Sequence, residues 1–228
     1  MKWNVPNTIT MCRIAASIIL FALIGAYDHA ASWATTLMGV AFVVFVLTAL
    51  SDVLDGYLAR KLGQVTAFGR IADPFVDKLL ILGSLILLSG PAFTTTDETV
   101  LARFSGDLPR WLYGSSITGV QPWMVLIIFA RELMVSTIRG YSESQGIAFP
   151  AIPVGKAKML VQSFATGTVL FCIAWAEGIA WCNTVKLLIV WIAVAVTVFS
   201  GIIYVVKAKV FYREPGNTTG ESGTGSDE

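Results

Sequence analysis

The chain has 228 residues, of which 55% are hydrophobic and only 14% are charged, and its formal net charge is +1. Soluble domains are about one quarter charged, so this composition, with a mean hydropathy of +0.72, excludes an ordinary soluble domain. We therefore expect an all-α integral membrane protein, with membrane lipids and no nucleic acid among its partners.

Six apolar runs approach or exceed the length of about 18–20 residues that crosses a bilayer. In chain order they lie at residues 8–27, 33–53, 71–90, 121–140, 158–178 and 184–206. A short N-terminal segment, MKWNVPN, precedes the first run and has the Lys, Trp and Pro of an interfacial stretch. No small-residue cleavage site is followed by a polar mature chain, so we expect no removable signal peptide.

Basic residues are distributed unevenly between the two sides of such a six-span arrangement. One side carries only Arg103, Arg110 and Lys186. The other side carries the larger set, which is Lys2, Arg13, Arg60, Lys61, Arg70, Lys78, Arg139, Lys156, Lys158, Lys207, Lys209 and Arg213. Because loops rich in Lys and Arg stay in the cytoplasm, we expect both termini on the cytoplasmic side.

The segments outside the spans are short, with two exceptions. Residues 91–120 form the longest external connection, for which we expect a loop with a short interfacial helix. Residues 214–228, EPGNTTGESGTGSDE, are acidic and rich in Gly, Ser and Thr, as is typical of a disordered tail. We therefore expect one six-helix membrane domain, 1–213, followed by this tail. The three cysteines lack metal-ligand spacing and are expected to be small apolar residues.

Four aspartates lie where the second and third spans meet. Asp52 and Asp55 are at i and i+3, whereas Asp73 and Asp77 are at i and i+4, and the turn KLGQVTAFG joins the two helices antiparallel. The two pairs should therefore converge. Carboxylates at membrane depth are costly unless a partner compensates their charge, and oxygen ligands favour Mg²⁺ or Mn²⁺. Four carboxylates are enough to hold two such ions.

Small and basic residues accompany the aspartates. Gly56 and Ala59 leave one helix face bare, and Gly69 does the same at the start of the third span, so that a ligand or a neighbouring helix can approach. Arg60 and Arg70 add positive charge for phosphates at the same place. Taken singly, these residues would equally suit helix packing or cytoplasmic anchoring.

The complete pattern is Asp52-x-x-Asp55-Gly56-x-x-Ala59-Arg60, eight residues, and Gly69-x-x-x-Asp73-x-x-x-Asp77. It resembles the signature of the CDP-alcohol phosphotransferase family at all eight specified positions. The resemblance implies a six-helix fold with a cytoplasmic active site, in which a CDP-linked lipid is transferred to an alcohol with release of CMP. It further implies roles for individual residues: metal binding by Asp52, Asp55, Asp73 and Asp77, general-base catalysis by Asp77, and a CDP-lipid pocket lined by Gly56, Ala59, Arg60 and Gly69.

A second group of charged residues lies later in the chain. Arg131 is inside the fourth span beside Glu132, Arg139 follows at i+8, and Lys156 and Lys158 open the fifth span from the cytoplasmic side. An arginine at that depth must face a cavity or a partner, and several cations together would bind an anionic acceptor. Two alternatives stay open: Arg131 pairs only with a carboxylate such as Glu132, and Lys158 is a snorkelling anchor.

This second group also carries a resemblance. The spacing of Ala-Arg-Glu with Arg139, the later Gly-Lys-x-Lys and the opening NVPNTITMCRI resemble the branch of the family that makes phosphatidylglycerophosphate in bacteria, over residues 4 to 206. The resemblance implies CDP-diacylglycerol as donor, sn-glycerol 3-phosphate as acceptor and a bacterial inner-membrane location. Members of the family are often homodimeric, but the sequence leaves the oligomeric state open. The acceptor phosphate would be bound by Arg131, Arg139 and Lys156, while the headgroup site would be bordered by Asn7, Thr10 and Arg13.

Other functions compete with this interpretation. Within the family, a CDP-dependent cardiolipin synthase also uses an acceptor with a phosphate, whereas a serine acceptor would not need the cations around Arg131. Outside it, intramembrane acids are typical of cation or proton transporters. Against a transporter, the acids lie near one face of the membrane, without a symmetry-related pair of broken spans. A scaffold with a structural metal is a further alternative, which an assay of CMP release would separate from an enzyme.

Overall fold

The computed structural model describes residues 5–62, 67–105, 108–145 and 153–211. Within these ranges, side chains are described except at 5–6, 53–62, 67–74, 153–154, 156 and 210–211. The described chain is helical, with an isolated β-bridge between Thr94 and Ser116 and no β-strand. The predicted tail at 214–228 and most of the predicted interfacial start lie outside the described residues.

A long helix corresponds to each of the six predicted segments, within a few residues at most ends. These helices are α1 (Val5–Gly25), α2 (Ala34–Leu62), α3 (Ala67–Leu88), α6 (Pro122–Ser144), α7 (Pro153–Trp175) and α8 (Ala180–Phe211). Two short helices, α4 (Glu98–Ser105) and α5 (Arg110–Tyr113), lie between α3 and α6. The helices α2, α6 and α8 continue beyond the predicted ends at residues 53, 140 and 206, because a helix tolerates the charged residues that end an apolar run.

Four segments of the described chain are long and apolar enough to cross a membrane. They are Asn7–Gly25, Ala34–Asp52, Ala157–Trp175 and Ala180–Lys209. The helices α3 and α6 have the necessary length, but their apolar stretches are interrupted by ionisable residues. Large apolar side chains such as Leu126, Phe164 and Leu188 are exposed on the long helices, as contact with lipid requires. The expected all-α membrane fold is therefore confirmed, with four candidate spans.

The long helices pack in a chain of neighbours. The helix α1 lies against α2 and α3, α7 lies against α2 and α8, and α6 lies against α8. Two glycines permit close approach: a Cβ on Gly83 of α3 would overlap the ring of Phe21 on α1, and a Cβ on Gly39 of α2 would lie 2.9 Å from the indole of Trp175 on α7. This packing brings the polar ends of α1, α2 and α3 together, and likewise those of α6, α7 and α8.

The connection between α3 and α6 is more ordered than predicted. Its helix α4 is attached to α8 by Lys186, a fully buried residue whose Nζ donates hydrogen bonds to the carbonyls of Phe104 and Ile117, each at 2.8 Å. The carbonyl of Arg103 accepts from the backbone of Gly178 at 2.9 Å. These hydrogen bonds supply donors to backbone carbonyls that would otherwise lack a partner, and they attach the connection to α8 and to the α7–α8 turn.

Two of the three cysteines form a disulfide bond between Cys172 on α7 and Cys182 on α8, across the turn that joins these helices. The prediction that they are only small apolar residues is therefore wrong. The sequence lacks any spacing that signals this pair, because the short turn and not a motif brings the two residues together. The remaining residue, Cys12, is a free and exposed thiol.

Candidate active site

Two of the predicted metal ligands meet at a buried arginine. Arg13 on α1 forms ion pairs with Asp52 on α2, at 2.8 Å between Nη1 and Oδ1, and with Asp77 on α3. The Arg13 side chain is only 2% exposed, whereas Asp52 and Asp77 are 38% and 17% exposed. Three helices thus contribute one charged side chain each to this site, in which the carboxylates are more exposed than the arginine.

The start of α1 is polar on the side that faces this site. Asn7, Thr10 and Arg13 follow one another at intervals of three residues, and all three are buried. Residues at this interval lie along one side of a helix, so the polar groups form a stripe. Of these three residues, Arg13 is in direct contact with Asp52 and Asp77. That Asn7, Thr10 and Arg13 border a headgroup site stays a prediction.

A second buried cluster joins α6, α7 and α8. Glu132 accepts from Arg131 at 3.0 Å and forms an ion pair with Lys158 of α7. Arg131 also donates to Ser200 Oγ of α8 at 2.5 Å. A Cβ on Gly201 would lie 3.2 Å from Cγ of Arg131, so the glycine leaves room for the arginine stem. One carboxylate is thus shared by two cations.

Tyr204 of α8 contacts Arg139, a second of the three predicted acceptor residues. Its hydroxyl accepts a hydrogen bond from Arg139 Nη2 at 2.7 Å. Its ring lies 5.5 Å from the guanidinium carbon of Arg139 and 5.1 Å from that of Arg131, which is within cation–π distance. Gly155 of α7 lies over the hydroxyl, where a Cβ would be 3.1 Å away. Tyr204 is fully buried and fixes both arginines relative to α8.

Within the described side chains, a hydrogen bond connects the helix of Asp77 with the cationic helix α6. Lys78, which follows Asp77 on α3, donates from Nζ to Ser136 Oγ of α6 at 2.5 Å. Ser136 lies between Glu132 and Arg139 in the sequence of α6. The two clusters are therefore neighbours, and an extended polar region reaches from α1 to α8.

Comparison with known proteins agrees with this arrangement. Residues 3–199 match the model of the CDP-alcohol phosphatidyltransferase family. The CDP-diacylglycerol–glycerol-3-phosphate 3-phosphatidyltransferase of Bacillus subtilis is 30% identical, over 87% of this chain and 92% of the relative. A relative of the same name from Rickettsia felis is 30% identical, over 92% of this chain and 97% of the relative. Another, from Cereibacter sphaeroides, is 28% identical, over 79% of this chain and 70% of the relative. The chain belongs to the CDP-alcohol phosphatidyltransferase family.

Members of this phosphatidyltransferase family generally use divalent metal ions, and the described site is compatible with such ions. The carboxylates of Asp52 and Asp77 both contact the guanidinium of Arg13, so they lie close to each other. Their oxygens are the kind of ligand that Mg²⁺ and Mn²⁺ prefer. Asp55 lies one helical turn after Asp52, and Asp73 lies one turn before Asp77. The side chains of Asp55 and Asp73 lie outside the described set, and the described side chains alone form no group of three or more metal-ligating residues.

Several other predicted site residues of this phosphatidyltransferase also lie outside the described side chains and stay predictions. They are Gly56, Ala59, Arg60, Gly69, Arg70 and Lys156. Among the alternatives, the pairing of Arg131 with Glu132 is confirmed. The interpretation of Lys158 as a snorkelling anchor is wrong, because its side chain is buried and ion-paired with Glu132.

Sequence reasoning missed Tyr204, Ser136 and the position of Lys78. Each of these side chains is paired with a residue more than 50 positions away, so no local spacing reveals the contact. The sequence does offer a signal for Tyr204, which is a tyrosine within an otherwise apolar run. A tyrosine hydroxyl that is buried in such a run needs a hydrogen-bond partner.

Proposed function

We propose that this phosphatidyltransferase transfers the phosphatidyl group of CDP-diacylglycerol to sn-glycerol 3-phosphate, giving phosphatidylglycerophosphate and CMP. The observation that carries the proposal is the proximity of two clusters, with aspartates on α2 and α3 beside arginines and lysines on α6 and α7. The first cluster suits a metal-bound diphosphate and the second suits an acceptor that is itself an anion. The names of the relatives point to the same donor and acceptor.

The donor would be bound at the aspartates. We propose that Asp52, Asp55, Asp73 and Asp77 hold two Mg²⁺ or Mn²⁺ ions, which when bound neutralise the diphosphate. The bare face of Gly56, Ala59 and Gly69, together with Arg60, would admit the CDP group. Arg13 is not a free phosphate ligand in this proposal, because its guanidinium is already bound to Asp52 and Asp77 and orients these carboxylates.

The chemical step requires one base and one leaving group. Asp77 would accept the proton of an acceptor hydroxyl, whose oxygen then bonds to the phosphorus that carries diacylglycerol. The bond from that phosphorus to the bridging oxygen breaks, and CMP leaves with the bonding electrons. A carboxylate held in place by a buried arginine is well suited to this role, since its orientation does not have to be found during the reaction.

The acceptor would be bound by the cationic cluster. Glu132 is the one carboxylate with which Arg131, Arg139 or Lys158 forms an ion pair within the described ranges, so the cluster keeps positive charge that an acceptor phosphate would neutralise. Arg139 has only the neutral hydroxyl and ring of Tyr204 as described partners. We propose that Arg131, Arg139 and Lys156 together bind the phosphate.

The proposed orientation places this site at the cytoplasmic face of a bacterial inner membrane, with six spans and both termini inside. The distribution of Lys and Arg supports this orientation. The disulfide between Cys172 and Cys182 supports it independently, because disulfides persist in oxidising compartments and these residues lie at the opposite ends of α7 and α8 from Lys158 and Tyr204.

The decisive experiment measures CMP release from CDP-diacylglycerol by purified protein in detergent with Mg²⁺. The acceptors to compare are glycerol 3-phosphate, phosphatidylglycerol, serine and inositol phosphate. We expect release with glycerol 3-phosphate alone, its loss in EDTA and its recovery with Mg²⁺ or Mn²⁺. Release with phosphatidylglycerol alone would reassign the enzyme to cardiolipin synthesis. Absence of release with every acceptor would refute the proposed transfer, and full activity in EDTA would refute the metal site.

A further inference from the structure

Lys78 occupies a position that none of the roles above explains. It follows Asp77 directly on α3, so the two residues have Cα atoms about 3.8 Å apart and side chains that leave the helix in different directions. Asp77 turns to Arg13 of α1, whereas Lys78 reaches Ser136 of α6. The base proposed for the acceptor hydroxyl and this ammonium group therefore start from neighbouring backbone positions.

Ser136 places the ammonium group on the acceptor side of the site. Glu132, Ser136 and Arg139 are separated by four and three residues, so they share one face of α6, with neighbouring Cβ atoms about 5–6 Å apart. The contact of Lys78 with Ser136 therefore lies between Glu132, which pairs with Lys158, and Arg139, which contacts Tyr204. Lys78 is also close enough to Lys158 for their like charges to repel each other.

No carboxylate among the described side chains pairs with Lys78. Its described partner is a neutral hydroxyl, and it forms no ion pair with a described carboxylate. Glu132 is already shared by Arg131 and Lys158, and Asp77 is bound to Arg13. Lys78 is only partly buried and Ser136 is exposed, so both groups can be reached from outside the helices. An ammonium group among like charges is stabilised when an anion joins it.

We propose that Lys78 and Ser136 bind the phosphate of the acceptor from the α3 side, opposite Arg139, and thereby hold the acceptor hydroxyl over Asp77. The inference rests on the proposed function, since it concerns the acceptor of that reaction. It adds a specificity element: an alcohol without a phosphate gains nothing from this pair. Lys78 is a binding residue of the acceptor and has no part in binding the donor.

The test is steady-state kinetics of CMP release with Lys78→Met and Ser136→Ala. A charged hydrogen bond contributes about 1.5–3 kcal/mol, so Lys78→Met should raise the KM for glycerol 3-phosphate by roughly tenfold or more. The KM for CDP-diacylglycerol should stay within about twofold, because the donor is bound elsewhere. Ser136→Ala removes a neutral partner and should raise the acceptor KM by roughly 2–10-fold. Lys78→Arg retains the charge and should recover part of the affinity.

The matched control is Lys207→Met, which removes the same group from an exposed position near the end of α8 and should leave both KM values unchanged. An acceptor KM that is unchanged in both Lys78→Met and Ser136→Ala would overturn the inference. Equal increases in the two KM values would overturn it as well, because they would indicate a structural role. These outcomes differ from failure of the proposed function, in which the unmodified protein releases no CMP with glycerol 3-phosphate.

Discussion

The position of Arg13 between two carboxylates predicts a large loss of stability for Arg13→Gln. Glutamine retains much of the length of the side chain but removes the charge that compensates Asp52 and Asp77. The two carboxylates would then repel each other beside a buried neutral amide. Because the three residues come from α1, α2 and α3, the change affects the packing of three helices at once.

The structure sets the size of this effect. Removing one partner of a fully buried ion pair costs about 3–5 kcal/mol. Asp52 is 38% exposed and Asp77 is 17% exposed, so water screens part of the repulsion, and we expect a loss of about 2–3 kcal/mol. For a chain of this length each kcal/mol lowers Tm by roughly 2–4 °C, so Tm should fall by roughly 4–12 °C.

The assay is thermal unfolding of the detergent-solubilised protein, followed by tryptophan fluorescence, first in EDTA and then in Mg²⁺. In EDTA the full deficit of Arg13→Gln should be seen. In Mg²⁺ the deficit should shrink, because a cation bound to the aspartates replaces part of the missing charge. Arg103→Gln is the control: its ion pair with Glu177 spans 3.6 Å on the surface, and its loss should change stability by at most about 0.5 kcal/mol.

Two results would refute this reasoning. The first is a Tm for Arg13→Gln in EDTA equal to that of Arg103→Gln, which would mean that the buried arginine compensates nothing. The second concerns the double variant Arg13→Gln with Asp77→Asn, which removes a repelling charge and should recover part of the lost stability. A double variant less stable than Arg13→Gln alone would show that repulsion between the carboxylates is not the cause.

Two further predictions concern α8 and its junction with α7. Tyr204→Phe retains the ring but removes the hydroxyl that Arg139 contacts. The KM for glycerol 3-phosphate should therefore rise by roughly 2–10-fold, while the KM for CDP-diacylglycerol does not change. A parallel rise of both KM values would contradict the assignment, and Tyr113→Phe in α5 is the control. For the disulfide, protein that is denatured without reduction should react with a thiol-specific maleimide at Cys12 alone. After reduction, Cys172 and Cys182 should react as well. Labelling of all three cysteines before reduction would disprove the bond.

The sequence by itself determined the six long helices and the identity of the aspartate motif. Both are local properties: an apolar run of sufficient length predicts a helix in lipid, and spacings of three and four residues place Asp52 beside Asp55 and Asp73 beside Asp77 on one helix face. The family assignment follows from the same local pattern, and the comparisons confirm it. The cationic cluster around Arg131 was noticed for a related reason, since an arginine inside an apolar run is conspicuous without any knowledge of its neighbours, and its role in binding the acceptor stays a prediction.

Only the tertiary structure decided which partners these residues have. Arg13 meets Asp77 across 64 positions, Lys158 meets Glu132 across 26, and Arg139 meets Tyr204 across 65. Such contacts depend on how α1 packs against α3 and how α6, α7 and α8 pack against one another, and helix packing is set by the fit of whole surfaces. A local spacing therefore predicts which face of a helix is polar, whereas the packing of helices decides whether a cation on that face is already neutralised or is left for a ligand.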